Sequence, residues 1–145
     1  MQKFSEEYGK VAEGNQLSFS QLKQIMSENS LDFETSRGIM YEHIRVSINA
    51  TMKKLNQYNR KFVFEIFGYD FMIDEGGHPW LIEVNTNPSL EESSKLLSTL
   101  IPRMLDDAFK LTIDSLFYGS YSSGEFPIEG YGRANMWVGL RVDEK

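Results

Sequence analysis

Apolar residues recur at two different spacings along the chain, and the spacing changes near residue 60. Over about 34–58, Met40, Tyr41, Ile44, Ile48, Met52 and Leu55 fall at helical intervals and predict one long amphipathic helix. Glu42, His43, Arg45, Asn49 and Lys53 lie on the same helix. A lone helical His such as His43 is more often a surface or capping residue than a catalyst. A shorter helix is predicted over about 19–28, where Ser18 and Gln21 form a capping box and Phe19, Leu22, Ile25 and Met26 share a side. Asn29 and Ser30 break it, and the polar residues 1–17 read as loop. The most amphipathic segment carries Leu97, Leu100, Ile101, Met104, Leu105, Ala108, Phe109, Thr112, Ile113 and Leu116. It predicts a helix that starts at Ser93 or Ser94 and ends near Phe117. Pro102 lies inside it, and an internal proline costs about 3 kcal/mol or more. A kink, or a break with a fresh start at Pro102, is therefore expected, with the apolar stripe packed on the back of a sheet.

Between the helices the period falls to two. Residues 62–74 are rich in aromatic and β-branched side chains, as are residues 80–85, so both predict strands. Glu75, Gly76, Gly77 and His78 separate them, and Pro79 opens the second strand. Pairing Asp74 with Pro79 across this loop places Asp70 directly opposite Glu83, with Asn85 on the face of Glu83. Opposed residues lie roughly 4.5–5.5 Å apart at Cβ, and like charges there are destabilising. The remedies are a Lys or Arg from elsewhere, a shifted pKa or a hard cation; oxygen-only ligands suit Mg²⁺ or Mn²⁺. A solvated face bearing two acids is the competing reading.

Composition narrows the classes. The 145 residues are 41% hydrophobic and 13% aromatic, which describes a folded domain rather than a disordered chain. The absence of cysteine rules out disulfides, thiolate metal sites and cysteine nucleophiles. No apolar run is long enough to span a bilayer, and the polar, acidic start is unlike a signal peptide, so a cytoplasmic location and no membrane partner are expected. The net charge of −6 argues against a nucleic-acid partner. Lys53, Lys54, Arg60 and Lys61 form the one basic cluster, to be read as a solvated face or as a substrate contact. Residues 119–145 change to a Gly- and Ser-rich tail in which 135–142 predict one further strand.

The hairpin residues resemble the tubulin–tyrosine ligase-like family, a branch of the ATP-grasp ligases. The likeness rests on Gly68-Tyr69-Asp70, then Trp80-Leu81-Ile82-Glu83-Val84-Asn85, with Asn87-Pro88 following. It covers roughly residues 15–118. The expected fold is α+β, a partial ATP-grasp domain over 1–118 whose antiparallel sheet holds a metal-binding hairpin against amphipathic helices. The resemblance implies that Asp70, Glu83 and Asn85 hold the magnesium ions of a bound ATP, with Glu83 bridging two ions and essential for catalysis. It also implies Met72 and Ile82 against the adenine. Met72 shares the Asp70 face, but simple alternation puts Ile82 on the other one. Either the strand is strongly twisted there or Leu81 does the job.

The implied activity is ATP-dependent addition of tyrosine, glutamate or glycine to tubulin or another protein through an acyl phosphate. The implied partners are the acidic tails of tubulin or microtubules and a free amino acid, with cytoskeletal or ciliary association. The alternatives are a non-catalytic microtubule-binding relative and, less well matched, another metal-dependent phosphoryl-transfer enzyme. No Lys in residues 1–33 sits beside a strand pattern, and Gly76-Gly77 is a turn rather than a phosphate cradle. The expectation is therefore the C-terminal part of a longer ligase domain, whether a fragment, an abbreviated gene model or a truncated paralogue. Alone it should bind MgATP poorly and be inactive.

Overall fold

The computed structural model describes residues 16–114, 116 and 136–140. Within them the order is helix α1 (Phe19–Glu28), helix α2 (Phe33–Leu55), strand β1 (Gly68–Ile73), strand β2 (Pro79–Asn85) and helix α3 (Lys95–Phe109), followed by a π-helical turn, Lys110–Asp114. The two strands form one antiparallel sheet, so the described part is α+β. None of its helices is long and apolar enough to cross a membrane.

The capping box forms as read from the sequence. The Gln21 N–H donates to Ser18 Oγ at 3.3 Å, and the Ser18 N–H donates to Gln21 Oε1 at 2.9 Å. Asp32 caps α2, and its carboxylate accepts from the Glu34 and Thr35 N–H groups and the Thr35 hydroxyl. These bonds, the hydroxyl's first, hold its carboxyl below the usual value. Met26 of α1 and Phe33 of α2 are buried where the two helices meet, and the Phe19 ring stands 5.8 Å from that of Phe33.

Other elements depart from the sequence reading. Helix α2 stops at Leu55, and Asn56 ends it. The first strand begins at Gly68 rather than at residue 62, because no described strand offers residues 62–67 a ladder of hydrogen bonds. Helix α3 is continuous through Pro102, without a restart there. The carbonyl left over by the missing N–H is that of Ser98, an exposed residue, where water can satisfy it. The element packed on the hairpin is α2, not α3. Tyr69 and Ser47 share a hydrogen bond between hydroxyls at 2.8 Å, and the His43 ring stacks on Phe71 at 6.2 Å. His43 is thus a half-buried packing residue rather than a surface or capping one. Helix α3 instead carries residues 136–140: the Met136 N–H donates to the buried Asp107 carboxylate at 3.0 Å, and the Trp137 indole donates to the Met104 carbonyl at 3.1 Å. These residues are not in a strand; the rest of the stretch expected to be one, and the loop expected over 1–15, lie outside the described residues.

Candidate active-site hairpin

Asp70 and Glu83 are directly opposed, as expected, although the Asp74–Pro79 pairing from which this was read does not form. Closer to the turn the register differs. Phe71 pairs with Leu81, Met72 with Trp80 and Ile73 with Pro79, so β2 carries one extra residue, a bulge, opposite the Asp70–Phe71 step. The connection from Asp74 to His78 absorbs the difference, closed by the Asp74 N–H donating to the His78 carbonyl at 3.0 Å.

The bulge resolves the face of Ile82. Trp80 lies opposite Met72 and Glu83 opposite Asp70, on one face; Leu81 lies opposite Phe71 on the other. Two consecutive residues, Ile82 and Glu83, must then share the Asp70 side. Exposure agrees: Met72, Trp80 and Ile82 are 64%, 56% and 59% exposed, whereas Leu81 is half-buried. One face of the hairpin thus carries an acidic end, Asp70, Glu83 and Asn85, and an apolar end, Met72, Trp80 and Ile82.

At the acidic end the Asn85 carboxamide stands between the two acids. Its Nδ2 donates to Asp70 Oδ2 at 3.1 Å and to Glu83 Oε1 at 3.2 Å. Among the described residues neither carboxylate has a Lys or Arg partner. Two exposed carboxylates and a carboxamide converging on one point are a hard-oxygen donor set. No group of three or more His, Asp or Glu that could hold a metal occurs among the described residues, so a cation here would need a carboxamide oxygen, water or ligand oxygens as well. The donor types fit Mg²⁺ on those terms.

The frame around this face is well fixed. Asp74 Oδ1 accepts from the Gly76 and His78 N–H groups at 3.0 and 2.9 Å, and Oδ2 accepts from the Trp80 indole at 2.9 Å. These bonds, the indole's first, hold the Asp74 carboxyl below its usual value. Gly77 takes φ +84°, a left-handed conformation suited to glycine. Its carbonyl accepts from the buried Ser36 hydroxyl at 2.6 Å, which pins the turn to the first turn of α2. At the other end, a Cβ on Gly68 would stand 2.9 Å from Cβ of Pro88, so the glycine lets the chain after β2 fold back over β1. Trp80, Asp74 and Ser36 were absent from the sequence-derived site. The Asp-x-Gly-Gly spacing of an Asx turn was the signal for Asp74; Ser36, far away in sequence, had none.

Two comparisons bear on this hairpin. The family model described as tubulin-tyrosine ligase family matches residues 1–119. Tubulin glycylase 3D of Tetrahymena thermophila is 48% identical over 93 residues, covering 60% of this chain and 9% of the relative. A probable alpha-tubulin polyglutamylase of the same organism, Ttll1, is 40% identical over 55 residues, 38% of this chain and 13% of the relative. The human protein monoglycylase TTLL8 is 30% identical over 78 residues, 52% of this chain and 9% of the relative. The matched segments therefore span only about a tenth of these relatives' length.

Proposed function

The chain belongs to the tubulin-tyrosine ligase family, and from that premise we propose that it supplies the metal-holding half of a site that joins an amino acid to a protein at the expense of ATP. The observation that carries this reading is the opposed Asp70–Glu83 pair, bonded by one neutral carboxamide and by no cation among the described residues. Two anions facing each other cost energy, and a divalent ion with its phosphates offsets that cost.

In this reading Asp70, Glu83 and Asn85 would hold the Mg²⁺ of a bound nucleotide, and Glu83, with two carboxylate oxygens, would be the residue able to serve two ions. Asn85 turns its carboxamide to present Oδ1 in place of Nδ2. Met72 and Ile82 form the apolar wall for the base, and Trp80, braced by Asp74, extends it. When bound, MgATP supplies the phosphoryl group that activates a carboxylate as an acyl phosphate for attack by an amine. The chain's own contribution is orientation and fixed charge at the phosphate end of the nucleotide. Tubulin is the proposed acceptor and glycine the proposed amino acid, since the glycylase match is longer and more identical than the polyglutamylase match. A cytoplasmic site of action on microtubules follows from that acceptor.

The test is Glu83→Gln in the longest natural protein that contains this chain. ATP-dependent glycylation of tubulin is expected to fall by about a hundredfold to a thousandfold, the scale of losing one electrostatic group at the reacting centre, with circular dichroism unchanged. Normal ligation by the variant would remove Glu83 from the site. A wild-type protein that binds microtubules without turnover would make it a non-catalytic relative.

A further inference from the structure

The two ends of the hairpin are held in different ways. At the turn, the buried Ser36 hydroxyl donates to the Gly77 carbonyl. At the open end the last pair of the ladder is Gly68 with Asn85. Asn85 is one of the three residues assigned to the metal, and Asp70 lies two places after Gly68. Asp70 and Glu83 are both exposed, so burial in a core does not fix this end. The chain leaving β2 closes it. Pro88 is half-buried, whereas its neighbours Thr86, Asn87, Ser89 and Leu90 are exposed.

The fit between Pro88 and Gly68 leaves no room for a side chain. A Cβ on Gly68 would stand 3.8 Å from Pro88 Cα and 3.7 Å from Asn85 Cβ, which are ordinary contacts, but 2.9 Å from Pro88 Cβ. Carbon atoms pack best at roughly 3.5–4.0 Å. The proline cannot yield by rotating a side chain, because its Cβ belongs to the ring that fixes φ near about −65°. Asn87, placed before a proline, is itself confined to extended conformations. A methyl group at position 68 must therefore move backbone. It displaces either the start of β1, two residues from Asp70, or the chain after β2, three residues from Asn85. The Asn85 carboxamide registers both movements, since its Nδ2 reaches Asp70 Oδ2 at 3.1 Å and Glu83 Oε1 at 3.2 Å at once.

We propose that Gly68 is a positioning residue of this site: its missing side chain lets Pro88 close the open end of the hairpin, and that closure sets the Asn85 carboxamide between Asp70 and Glu83. Gly68 acts through Asn85 and Asp70, and neither it nor Pro88 has a side-chain donor of its own. The Gly68-Tyr69-Asp70 and Asn87-Pro88 stretches are thus two halves of one contact made across the ladder. Groups that support metal ligands in this way commonly matter almost as much as the ligands. The consequence for magnesium rests on the ligase reading; the placing of the carboxamide does not.

The test uses the isotope-labelled full chain, in which the Asn85 side-chain NH₂ gives its own NMR cross-peaks. Without metal, Gly68→Ala is expected to move those cross-peaks. Gly38→Ala, at a glycine of α2 where a Cβ would meet open space, should leave them in place. Pro88→Gly removes the opposing carbon, and in that background Gly68→Ala should move the cross-peaks much less, as contact between the two residues requires. In ATP titrations followed by Trp80 fluorescence, Gly68→Ala should shrink severalfold the gain in affinity that magnesium brings, and leave the magnesium-free affinity unchanged. A merely destabilised hairpin would lower both. Should Gly68→Ala fail to fold by circular dichroism, recovery of the fold in Gly68→Ala/Pro88→Gly is the same coupling, and no recovery denies it. Unmoved cross-peaks, an equal shift with and without Pro88, or an unchanged magnesium gain would each overturn the proposal. A wild-type chain without any magnesium gain would sink the ligase reading instead, and the metal-free cross-peaks would still decide whether Gly68 places Asn85.

Discussion

Asp74 decides the placement of Trp80, and it does so through charge. The carboxylate accepts the Trp80 indole and two backbone N–H groups, and these hold its pKa below the usual 3.8. A group whose folded pKa is depressed stabilises the fold above its unfolded pKa, and that contribution is lost as pH falls through the folded value. Asp74→Ala is therefore expected to lower the melting temperature at pH 7 and to have a shrinking effect below about pH 4. Melting curves of both proteins across that range check it; a gap that widens in acid would refute the assignment. At this scale the sequence spoke clearly for some residues and not for others. The opposition of Asp70 and Glu83 was legible only because two departures offset each other: Pro79 pairs with Ile73 rather than Asp74, and the extra residue in β2 restores the count. The face of Ile82 was not legible, because one inserted residue reverses the parity of everything beyond it, and a bulge leaves no local mark in composition.

Hairpin and helix α2 are joined by two side-chain hydrogen bonds and a ring contact between His43 and Phe71. Ser36 is 2% exposed and donates to the Gly77 carbonyl at the turn, and Tyr69 bonds to Ser47 further along. Ser36→Ala leaves a buried acceptor without its donor and is expected to cost about 1–3 kcal/mol in urea unfolding. Gly77→Ala places a Cβ at φ +84° and is expected to cost about 1–2 kcal/mol by the same measurement. Ser36→Thr keeps the hydroxyl and should recover part of the loss; no cost on Ser36→Ala would deny the bond a role. Helix existence was legible here, and capping residues located α1 closely. Packing partners were not. The stripe on α3 was expected against the back of the sheet, but periodicity shows only that a face is buried and not what covers it, and the hairpin took α2 instead. Residues 62–67 have a strand's composition, but a strand needs a partner ladder, which composition does not supply.

Over the whole described molecule the apolar face of the hairpin stays open. Its buried apolar side chains other than Pro79 are Met26, Phe33, Ile101 and Ala108, and none of these four lies on the hairpin. Met72, Trp80 and Ile82 present a flat apolar wall with Asp70 and Glu83 at its end, all exposed. Well-formed ligand sites bury 70–90% of a small ligand's surface; a wall touches one side of it. The chain alone is thus expected to bind MgATP weakly, with Kd near 1 mM, or about −4 kcal/mol. Trp80 is itself the reporter, since a base laid against Met72 and Ile82 meets its indole and should alter its fluorescence. Trp137, held on α3 by the Met104 carbonyl, is the internal control, so the titration is run with Trp137→Phe and with Trp80→Phe. The signal should survive the first substitution and vanish with the second. Magnesium should raise the affinity in the wild-type chain, because the acid pair repels a bare triphosphate and accepts one that carries its ion. In Glu83→Gln that magnesium gain should shrink severalfold, the scale of a lost charged contact, while base contact remains. A micromolar Kd, or a magnesium effect indifferent to Glu83, would show that this open face is not where the nucleotide sits.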